Sequence, residues 1–223
     1  MILLTTAEKY QENFTYVIES ENIVDYKLET HEGFFCYDRG SAFLLKGIGM
    51  ITNAHMFLEL KELPIEQIIL TKEYPFTVHR SRYSNEKSAA KLVAIDFSID
   101  IAILQVEGMD ISINGFDYCE NVKNGDSITV LGYPDFRENQ ELRCGYGEIM
   151  NERTHILLDT KKSMRYEVSS TIYAGNSGGP LVNSKNKVIG IATRGTTESG
   201  QVPNEVVLIS HVLKLYDNLN SIS

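Results

Sequence analysis

Short apolar runs separated by turn signals recur along most of the chain. The runs read as strands are Ala42–Leu45, Gly49–Thr52, Leu92–Ile95, Ile101–Val106, Ser127–Leu131, His155–Leu158, Tyr166–Ser170, Leu181–Val182, Val188–Thr193 and Val206–Ile209. Turns such as Asn183-Ser184-Lys185-Asn186 separate neighbouring runs. Many short strands at this spacing predict a β-sandwich or a β-barrel.

Helical spacing of apolar residues occurs at the two ends of the chain. Residues from Thr5 to about Ser20 predict a helix, and Thr5 with Glu8 forms a capping box. Its apolar face consists of Tyr10, Phe14, Val17 and Ile18. A second helix is predicted from about Ile209 to Asn220, packed back on the body of the protein.

The composition supports a compact fold that needs no metal or disulfide. Apolar residues make up 43% of the 223 residues, which supplies an ample core. The three cysteines have no CxxC spacing, which argues against a disulfide framework and against a zinc site. Cys144 is expected to be a buried structural thiol. A reducing compartment is the simplest interpretation.

The charge of the chain narrows its partners. Its net charge of −9 lacks the basic footprint of nucleic-acid-binding proteins. No segment approaches the roughly 18 apolar residues of a membrane span, and the N-terminus lacks the basic region of a signal peptide. We therefore predict a cytoplasmic protein, or a domain of a longer one, with no nucleic-acid or membrane partner.

The stretch Gly175-Asn176-Ser177-Gly178-Gly179 places one serine in a glycine-dense turn before an apolar run. Glycines let the backbone bend sharply and approach a substrate closely, because no Cβ intervenes. An oxyanion hole is predicted at Gly175, Asn176 and Ser177, with the Gly175 and Ser177 amides pointing at one spot. The alternative is an ordinary glycine-rich turn. The stretch makes Ser177 a candidate nucleophile.

A serine nucleophile needs an adjacent base, and the base needs an orienting partner. His55 follows an apolar run, and the neighbours of the other four histidines suggest no chemistry. On its own, His55 could be an ordinary core or surface histidine at a strand end. Asp100 precedes the apolar run Ile101–Val106, where a buried carboxylate needs a compensating partner. An imidazole N–H would be that partner, as in a Ser-His-Asp triad.

The order His55, Asp100, Ser177 resembles the triad of the trypsin-like serine peptidases, and their bacterial HtrA-like branch more than the digestive enzymes. Similar motifs occur in the same order over roughly residues 35 to 212. They are Gly40-Ser41-Ala42-Phe43 with Thr52-Asn53-Ala54-His55, Ala90-Lys91-Leu92-Val93 with Asp100-Ile101-Ala102, Gly125-Asp126 with Gly132-Tyr133-Pro134, and Val188-Ile189-Gly190-Ile191.

The resemblance implies an all-β fold of two six-stranded antiparallel barrels with the active-site cleft between them. The expected divisions are an N-terminal helical extension at 1–24, a first barrel at 25–112, a second barrel at 113–208 and a C-terminal helix and tail at 209–223. His55 and Asp100 would then belong to the first barrel and Ser177 to the second. After the C-terminal helix and tail, no PDZ module is expected in this chain.

The resemblance further implies a serine endopeptidase that cleaves protein or peptide substrates without a cofactor or metal. Substrate contacts are expected at five positions: Thr171, Thr193, Arg194, Gly195 and Glu205. The Thr193 hydroxyl would support the buried Asp100, and its strand would pair with the substrate backbone. An ordinary strand threonine is the alternative.

Glu205 carries the specificity hypothesis. It aligns with a glycine of the family's GFAIPS strand, which lines the primary side-chain pocket. Its carboxylate would then hold a substrate Arg or Lys through charge-assisted hydrogen bonds. The alternative is that Glu205 turns outward and pairs with Arg194, leaving a pocket for small or apolar side chains.

One departure from the digestive enzymes concerns activation. Asn176 stands where those enzymes have an aspartate that pairs with a newly cleaved N-terminus, so no such cleavage is expected here. Two other functions stay open. The chain could be a catalytically silent binding module of the same fold, or a protease subunit whose activity a regulatory protein partner gates within a larger bacterial complex.

Overall fold

The computed structural model describes residues 6–21, 23–24, 27–28, 30–31, 34–35, 37–60, 76–80, 86–134, 141–158, 160–195 and 202–221. Within these ranges, strands form two closed antiparallel barrels of six strands each. This architecture confirms the all-β fold of two barrels that the sequence resemblance implied.

The first barrel is built from strands in the N-terminal half of the chain. In chain order, the elements are α1 (Thr6–Phe14), β1 (Thr15–Glu21), β2 (Ile23–Val24), β3 (Lys27–Leu28), β4 (Thr30–His31), β5 (Phe34–Phe35), β6 (Tyr37–Leu45), β7 (Gly49–Thr52), a 3₁₀ segment (Ala54–Leu60), β8 (Phe76–His79), β9 (Ser88–Asp96) and β10 (Ile101–Val106). The barrel order is β1-β6-β7-β10-β9-β8. Pairing of β1 with β8 closes it.

The second barrel has the same strand order along its wall. Its elements are β11 (Ser127–Gly132), β12 (Arg143–Leu158), β13 (Lys161–Val168), β14 (Pro180–Asn183), β15 (Val188–Arg194) and β16 (Glu205–Leu208), followed by helix α2 (Ile209–Ser221). The order is β11-β12-β13-β16-β15-β14, and pairing of β11 with β14 closes the barrel. The predicted C-terminal helix is therefore confirmed.

The N-terminal helix is shorter than its periodicity predicted. Helix α1 ends at Phe14, and the segment from Thr15 that we expected to continue it lies in β1. Strand β1 pairs on both sides, with β6 and β8, and buries Val17 and Ile18 completely. Tertiary pairing overrides the helical spacing here, because β-branched residues suit a strand buried on both faces. The first barrel thus begins at Thr15 and not near residue 25, and the predicted Thr5 cap lies outside the described residues.

Three apolar clusters hold the fold together. One lies inside each barrel, and the third, the inter-barrel cluster, joins residues of both barrels with the start of α2. Successive residues of β6 show the division, since Leu44 belongs to the interior of the first barrel and Phe43 and Leu45 to the inter-barrel cluster. Strands that are buried on both faces read as continuous apolar runs, which explains the sequence pattern.

Candidate active site

His55 and Asp100 lie at the same edge of the first barrel because they flank two paired strands. Strand β7 ends at Thr52, which is opposite Ala102 of β10. His55 follows the end of β7 and Asp100 directly precedes β10. The imidazole Nδ1 is 2.9 Å from Asp100 Oδ2 and 3.1 Å from Oδ1. The two side chains predicted to form a base and its orienting acid are therefore hydrogen-bonded.

Hydrogen bonds fix both the backbone and the carboxylate of Asp100. Its φ of 63° lies in the left-handed region, which is uncommon for a residue with a side chain. The His55 amide donates to Asp100 Oδ1 at 2.9 Å, and the Asn53 side-chain amide donates to the Asp100 carbonyl at 3.0 Å. Strained conformations of this kind persist where the surrounding contacts over-determine them.

The charge of Asp100 is stabilised although the side chain is buried. Burial opposes ionisation of the carboxyl, but the positive charge and hydrogen bonds of His55 outweigh it, with a further contribution from the charge of Arg165. The pKa of Asp100 therefore lies below its ordinary value. An ionised carboxylate beside Nδ1 favours the tautomer that leaves Nε2 as the basic nitrogen.

Ser177 lies in a turn wedged between the two barrels. The Ser41 amide of the first barrel donates to the Ser177 carbonyl at 2.8 Å, and the Gly178 amide donates to the Ala192 carbonyl at 2.9 Å. Gly178 has φ of 84°, and a Cβ there would lie 2.1 Å from the Ser41 carbonyl oxygen. This turn therefore requires glycine both for its conformation and for its close approach to β6.

The Ser177 hydroxyl donates to the Thr193 carbonyl at 2.8 Å. This hydrogen bond joins two residues of the second-barrel half of the chain. The structure thus brings Ser177 to the junction that carries His55 and Asp100, but its hydroxyl is hydrogen-bonded to its own barrel.

The backbone of the turn has two uncommitted donors. Over the described residues, the amides of Gly175 and Ser177 have no hydrogen-bond acceptor. The Asn176 amide, which we had included in the oxyanion hole, instead donates to the Tyr173 carbonyl at 2.9 Å. That donor is used to close the turn, so the prediction for Asn176 is corrected. The Gly175 carbonyl accepts from Ser41 Oγ at 2.7 Å, which ties the turn to the first barrel a second time.

Comparison with known proteins agrees with this geometry. A family model described as the trypsin-like peptidase domain matches residues 40–191. The chain belongs to this family. A probable periplasmic serine endoprotease, DegP-like, from Pseudomonas putida is 28% identical over 166 residues, which cover 72% of this chain and 30% of that relative. The serine protease Do-like HtrB of Bacillus subtilis is 29% identical over 123 residues, which cover 53% of this chain and 27% of the relative.

The names of these relatives confirm the predicted likeness to HtrA-like proteases, although the chain spans less than a third of the length of either. Solved structures agree on the fold. The active form of the Rv3671c protease from M. tuberculosis superimposes with a TM-score of 0.67 and 19% identity, covering 95% of this chain and 84% of that one. An inactive form of the same protease gives a TM-score of 0.67 at 18% identity, covering 96% and 92%.

The residues predicted to contact substrate in this trypsin-like domain include Gly195, which is closely packed; the segment around it is called the substrate wall below. Gly195 is buried, and a Cβ on it would lie 1.9 Å from the Ile172 carbonyl oxygen. The segment after β15 is therefore packed directly against the segment that leads to Ser177. Thr171 is exposed at the start of that segment, and Arg194 is half-buried at the end of β15. Contact of these residues with substrate stays a prediction.

Thr193 lies beside the site but contacts a different partner from the one expected. Its hydroxyl donates to the Ile191 carbonyl at 3.2 Å and accepts from the Asn53 side-chain amide at 3.2 Å. The same Asn53 amide donates to the Asp100 carbonyl. Thr193 is thus linked to Asp100 through Asn53, and the support of Asp100 by the Thr193 hydroxyl stays a prediction.

The structure contradicts both hypotheses about Glu205. Its side chain is completely buried, so it does not turn outward to a surface pair. Its Oε1 lies 3.7 Å from Nε of Arg165, which is also completely buried. Since the carboxylate already faces a guanidinium of its own chain, Glu205 does not line a pocket for a substrate Arg or Lys. Strand alternation explains the direction, because Glu205 shares a side with Val207 of the inter-barrel cluster.

Arg165 is the residue near the site that sequence analysis missed. It lies on β13, opposite Val207 of β16, and its guanidinium is enclosed between the barrels. In the sequence, the available signal for a buried charge was an arginine between the apolar residues Met164 and Tyr166. That signal does not indicate which face is buried, since both faces of these strands are covered.

The described residues were also compared with what a metal site or a membrane span would require. Among the described residues, no three His, Cys, Asp or Glu side chains are grouped in a way that could hold a metal ion. Over the same part of the chain, no helix is both long and apolar enough to cross a bilayer.

Proposed function

We propose that the chain is a serine endopeptidase that hydrolyses peptide bonds of protein or peptide substrates. The observation that carries the proposal is the His55–Asp100 hydrogen bond at 2.9 Å, located at the barrel junction that also holds Ser177 in its glycine turn. Membership of the trypsin-like peptidase family and the serine protease names of the relatives support the same activity.

In the proposed mechanism, Ser177 Oγ leaves the Thr193 carbonyl and attacks the carbonyl carbon of the scissile bond. His55 Nε2 accepts the hydroxyl proton and passes it to the departing amine, while Asp100 holds the imidazole and stabilises its charged form. Water then attacks the acyl-enzyme while His55 accepts a water proton, and the acyl–Oγ bond breaks as His55 returns that proton to Ser177 Oγ, which releases the new carboxylic acid product. Proton and bond changes balance without a metal or cofactor.

The oxyanion would be bound by the amides of Gly175 and Ser177. Support comes from the absence of any acceptor for these two donors over the described residues. Donors that face developing charge contribute about 3 kcal/mol each in comparable sites. Asn176 contributes to the turn that orients them, because its amide is bonded to Tyr173.

A fluorophosphonate probe tests this function directly. The intact protein is expected to label on Ser177, and the Ser177→Ala variant is expected not to label. Ser184→Ala is the matched control, since Ser184 is exposed in the turn between β14 and β15 and should leave labelling unchanged. Cleavage of a peptide library by the same three proteins shows whether labelling reports peptidase activity. A parent protein that neither labels nor cleaves would support the silent binding module instead.

The regulatory alternative has one specific observation in its favour. The Ser177 hydroxyl is bonded to the Thr193 carbonyl, so this hydroxyl has to leave its acceptor before it attacks a substrate. A protein partner that binds only the rearranged form would activate the enzyme. Weak labelling of the purified protein that rises on addition of a partner would favour the regulatory alternative.

Location in the cytoplasm stays a prediction, and the word periplasmic in one relative's name describes that relative.

A further inference from the structure

Arg165 links the second barrel to the turn that carries Asp100. It extends from β13, and its Nη2 donates to the Ile99 carbonyl at 3.1 Å. Ile99 directly precedes Asp100 in the chain. Nη1 donates to the Met164 carbonyl at 3.2 Å and to Ser163 Oγ, so the guanidinium is anchored on its own strand. A fixed donor from one barrel therefore holds the acid-bearing turn of the other.

The link acts at a strained point of the backbone. Asp100 has φ of 63°, and the neighbouring carbonyls of Ile99 and Asp100 each accept a hydrogen bond from a buried side chain, Arg165 or Asn53. A left-handed non-glycine residue needs such support, because alternative backbone conformations are lower in energy. Arg165 supplies this support from outside the first barrel.

Arg165 also belongs to a buried group of charges behind the triad. Its Nε lies 3.7 Å from Glu205 Oε1, and both side chains are fully buried. The other titratable or charged groups that interact electrostatically with Arg165, or with its neighbour His211, are Asp100, Arg194, His211, Lys214 and Asp96. Burial, with the charge of Arg165, lowers the pKa of His211 to about 4, so His211 is neutral near pH 7. Arg165 with Glu205 is therefore a buried ion pair next to the turn that carries Asp100.

We propose that Arg165 is a positioning residue for Asp100, and that Glu205 is its counter-ion, so that this buried pair sets both the orientation of Asp100 and the electrostatic potential at His55. The proposal rests on the proposed function in treating His55 and Asp100 as the catalytic base and acid. It gives Glu205 a role in the acid–base machinery in place of substrate selection.

The two partners have opposite electrostatic effects on His55. The positive charge of Arg165 disfavours the imidazolium, so its removal stabilises protonated His55 and moves its titration to higher pH. The negative charge of Glu205 favours the imidazolium, so its removal moves the titration to lower pH. A residue that merely fills space would not produce shifts of opposite sign.

The experiment is an NMR titration of isotope-labelled histidine in the full chain, which does not depend on activity. The five histidines are assigned with His55→Gln as the reference for the active-site signal. Arg165→Met is expected to move the His55 midpoint up by roughly half a pH unit or more, and Glu205→Gln to move it down by a similar amount. Arg165→Lys keeps the charge and should keep the midpoint near that of the parent.

Two further variants separate charge from folding. The double variant Arg165→Met, Glu205→Met removes the pair together, and such replacements are often tolerated where single ones are not. Its His55 midpoint should return towards that of the parent, while kcat stays reduced about tenfold or more because Asp100 loses its link through Ile99. Arg153→Met is the matched control, since it removes an arginine of the same barrel that is exposed.

The acid limb of kcat/KM should follow the NMR midpoints in each active variant. Unchanged midpoints in Arg165→Met and Glu205→Gln, or shifts of the same sign in both, would overturn the proposal. Shifts as expected in a protein that cleaves no peptide would uphold the coupling of Arg165 to His55 and reject the proposed peptidase function.

Discussion

In the first-barrel half of the site the His55 imidazole is already hydrogen-bonded to Asp100, whereas in the second-barrel half the Ser177 hydroxyl is bonded to the Thr193 carbonyl. The first half is complete because both residues flank the paired strands β7 and β10, whose separation is set by backbone hydrogen bonds. The second half depends on a loop between strands, whose serine hydroxyl donates to a backbone carbonyl of β15.

The difference shows where regulation can act on this fold. The base and the acid are already hydrogen-bonded in the absence of substrate, with Arg165 of the second barrel donating to the turn that carries the acid. The nucleophile responds to whatever contacts Thr193 and the segment around Gly195, because those groups hold its present acceptor and the substrate wall. In the partner-gated alternative proposed above, a partner protein would therefore act on the second barrel.

The largest effect is expected from removing one residue of each half. Ser177→Ala and His55→Ala should each lower kcat/KM by at least about 10⁴-fold, because triad members act as a unit. The double variant should be scarcely worse than either single one. Steady-state hydrolysis of a peptide substrate measures the three variants, and circular dichroism checks the fold. Substantial activity in Ser177→Ala would show that another residue is the nucleophile.

The junction between the halves can be broken at Gly178. A Cβ there meets the Ser41 carbonyl at 2.1 Å and Thr52 Oγ1 at 2.2 Å, and φ is 84°. Gly178→Ala should lower the free energy of unfolding by about 3 kcal/mol or more, from strained backbone and overpacking together. Gly108→Ala is the control, since φ is 75° but nothing lies within 4 Å of the added Cβ. It should cost about 1 kcal/mol, and equal losses in urea unfolding would contradict the role of the close contact.

Glu19 is a second buried carboxylate of the first barrel, besides Asp100. It lies outside the proposed triad, so we expect it to affect stability and not catalysis. Glu19 Oε2 lies 3.5 Å from His79 Nε2 and 2.8 Å from Lys87 Nζ. His79 and then Lys87 lower the pKa of Glu19 to about 2 from an ordinary value of 4.5. Its contribution to stability is therefore complete above pH 4.5 and is lost as the pH falls towards 2.

Glu19→Gln should accordingly destabilise the protein by about 2 kcal/mol at pH 7 and by much less near pH 2, with kcat/KM unchanged. Urea unfolding at several pH values measures the first effect and peptide hydrolysis the second. Glu86→Gln, at an exposed acid near the same barrel edge, serves as the control. A difference between parent and Glu19→Gln that did not shrink on acidification would mean that the carboxylate charge is not what stabilises this cluster.

The smallest loss of activity is expected at Thr193. Its carbonyl contacts Ser177 in the second-barrel half of the site, and its hydroxyl contacts Asn53 in the first-barrel half. Thr193→Val keeps the carbonyl that accepts from Ser177 and removes the hydroxyl that contacts Ile191 and Asn53. Stability should fall by about 1 kcal/mol and kcat/KM by less than tenfold, with Thr193→Ser restoring both. A loss of a hundredfold or more would mean that the hydroxyl supports the Asp100 carboxylate directly during the reaction.

Local patterns predicted the strands and failed where long-range pairing decides the structure. The apolar runs of β6, β7 and β10 lie where they were expected, because strands buried on both faces carry continuous apolar sequence. Thr15–Ser20 was wrongly predicted as helix, since its apolar spacing fits a helix locally. Its partners lie 18 to 28 positions away along the chain in β6 and more than fifty positions away in β8.

By itself, the sequence determined which chemistry the site could hold. The order of His55, Asp100 and Ser177, with a glycine turn at the serine, indicated a trypsin-like arrangement because each residue type has a suitable role in it. The need for glycine at Gly178 also follows from the sequence motif, before the Ser41 carbonyl that enforces it is known.

The tertiary structure alone decided what each side chain faces. Glu205 and Arg165 are forty residues apart and are neighbours because β13 and β16 pair in the second barrel. The same alternation that directs Val207 into the inter-barrel cluster directs Glu205 away from a substrate pocket. The hydrogen bond from the Ser177 hydroxyl to the Thr193 carbonyl, 16 residues away along the chain, is likewise decided by tertiary packing, and no local pattern encodes it.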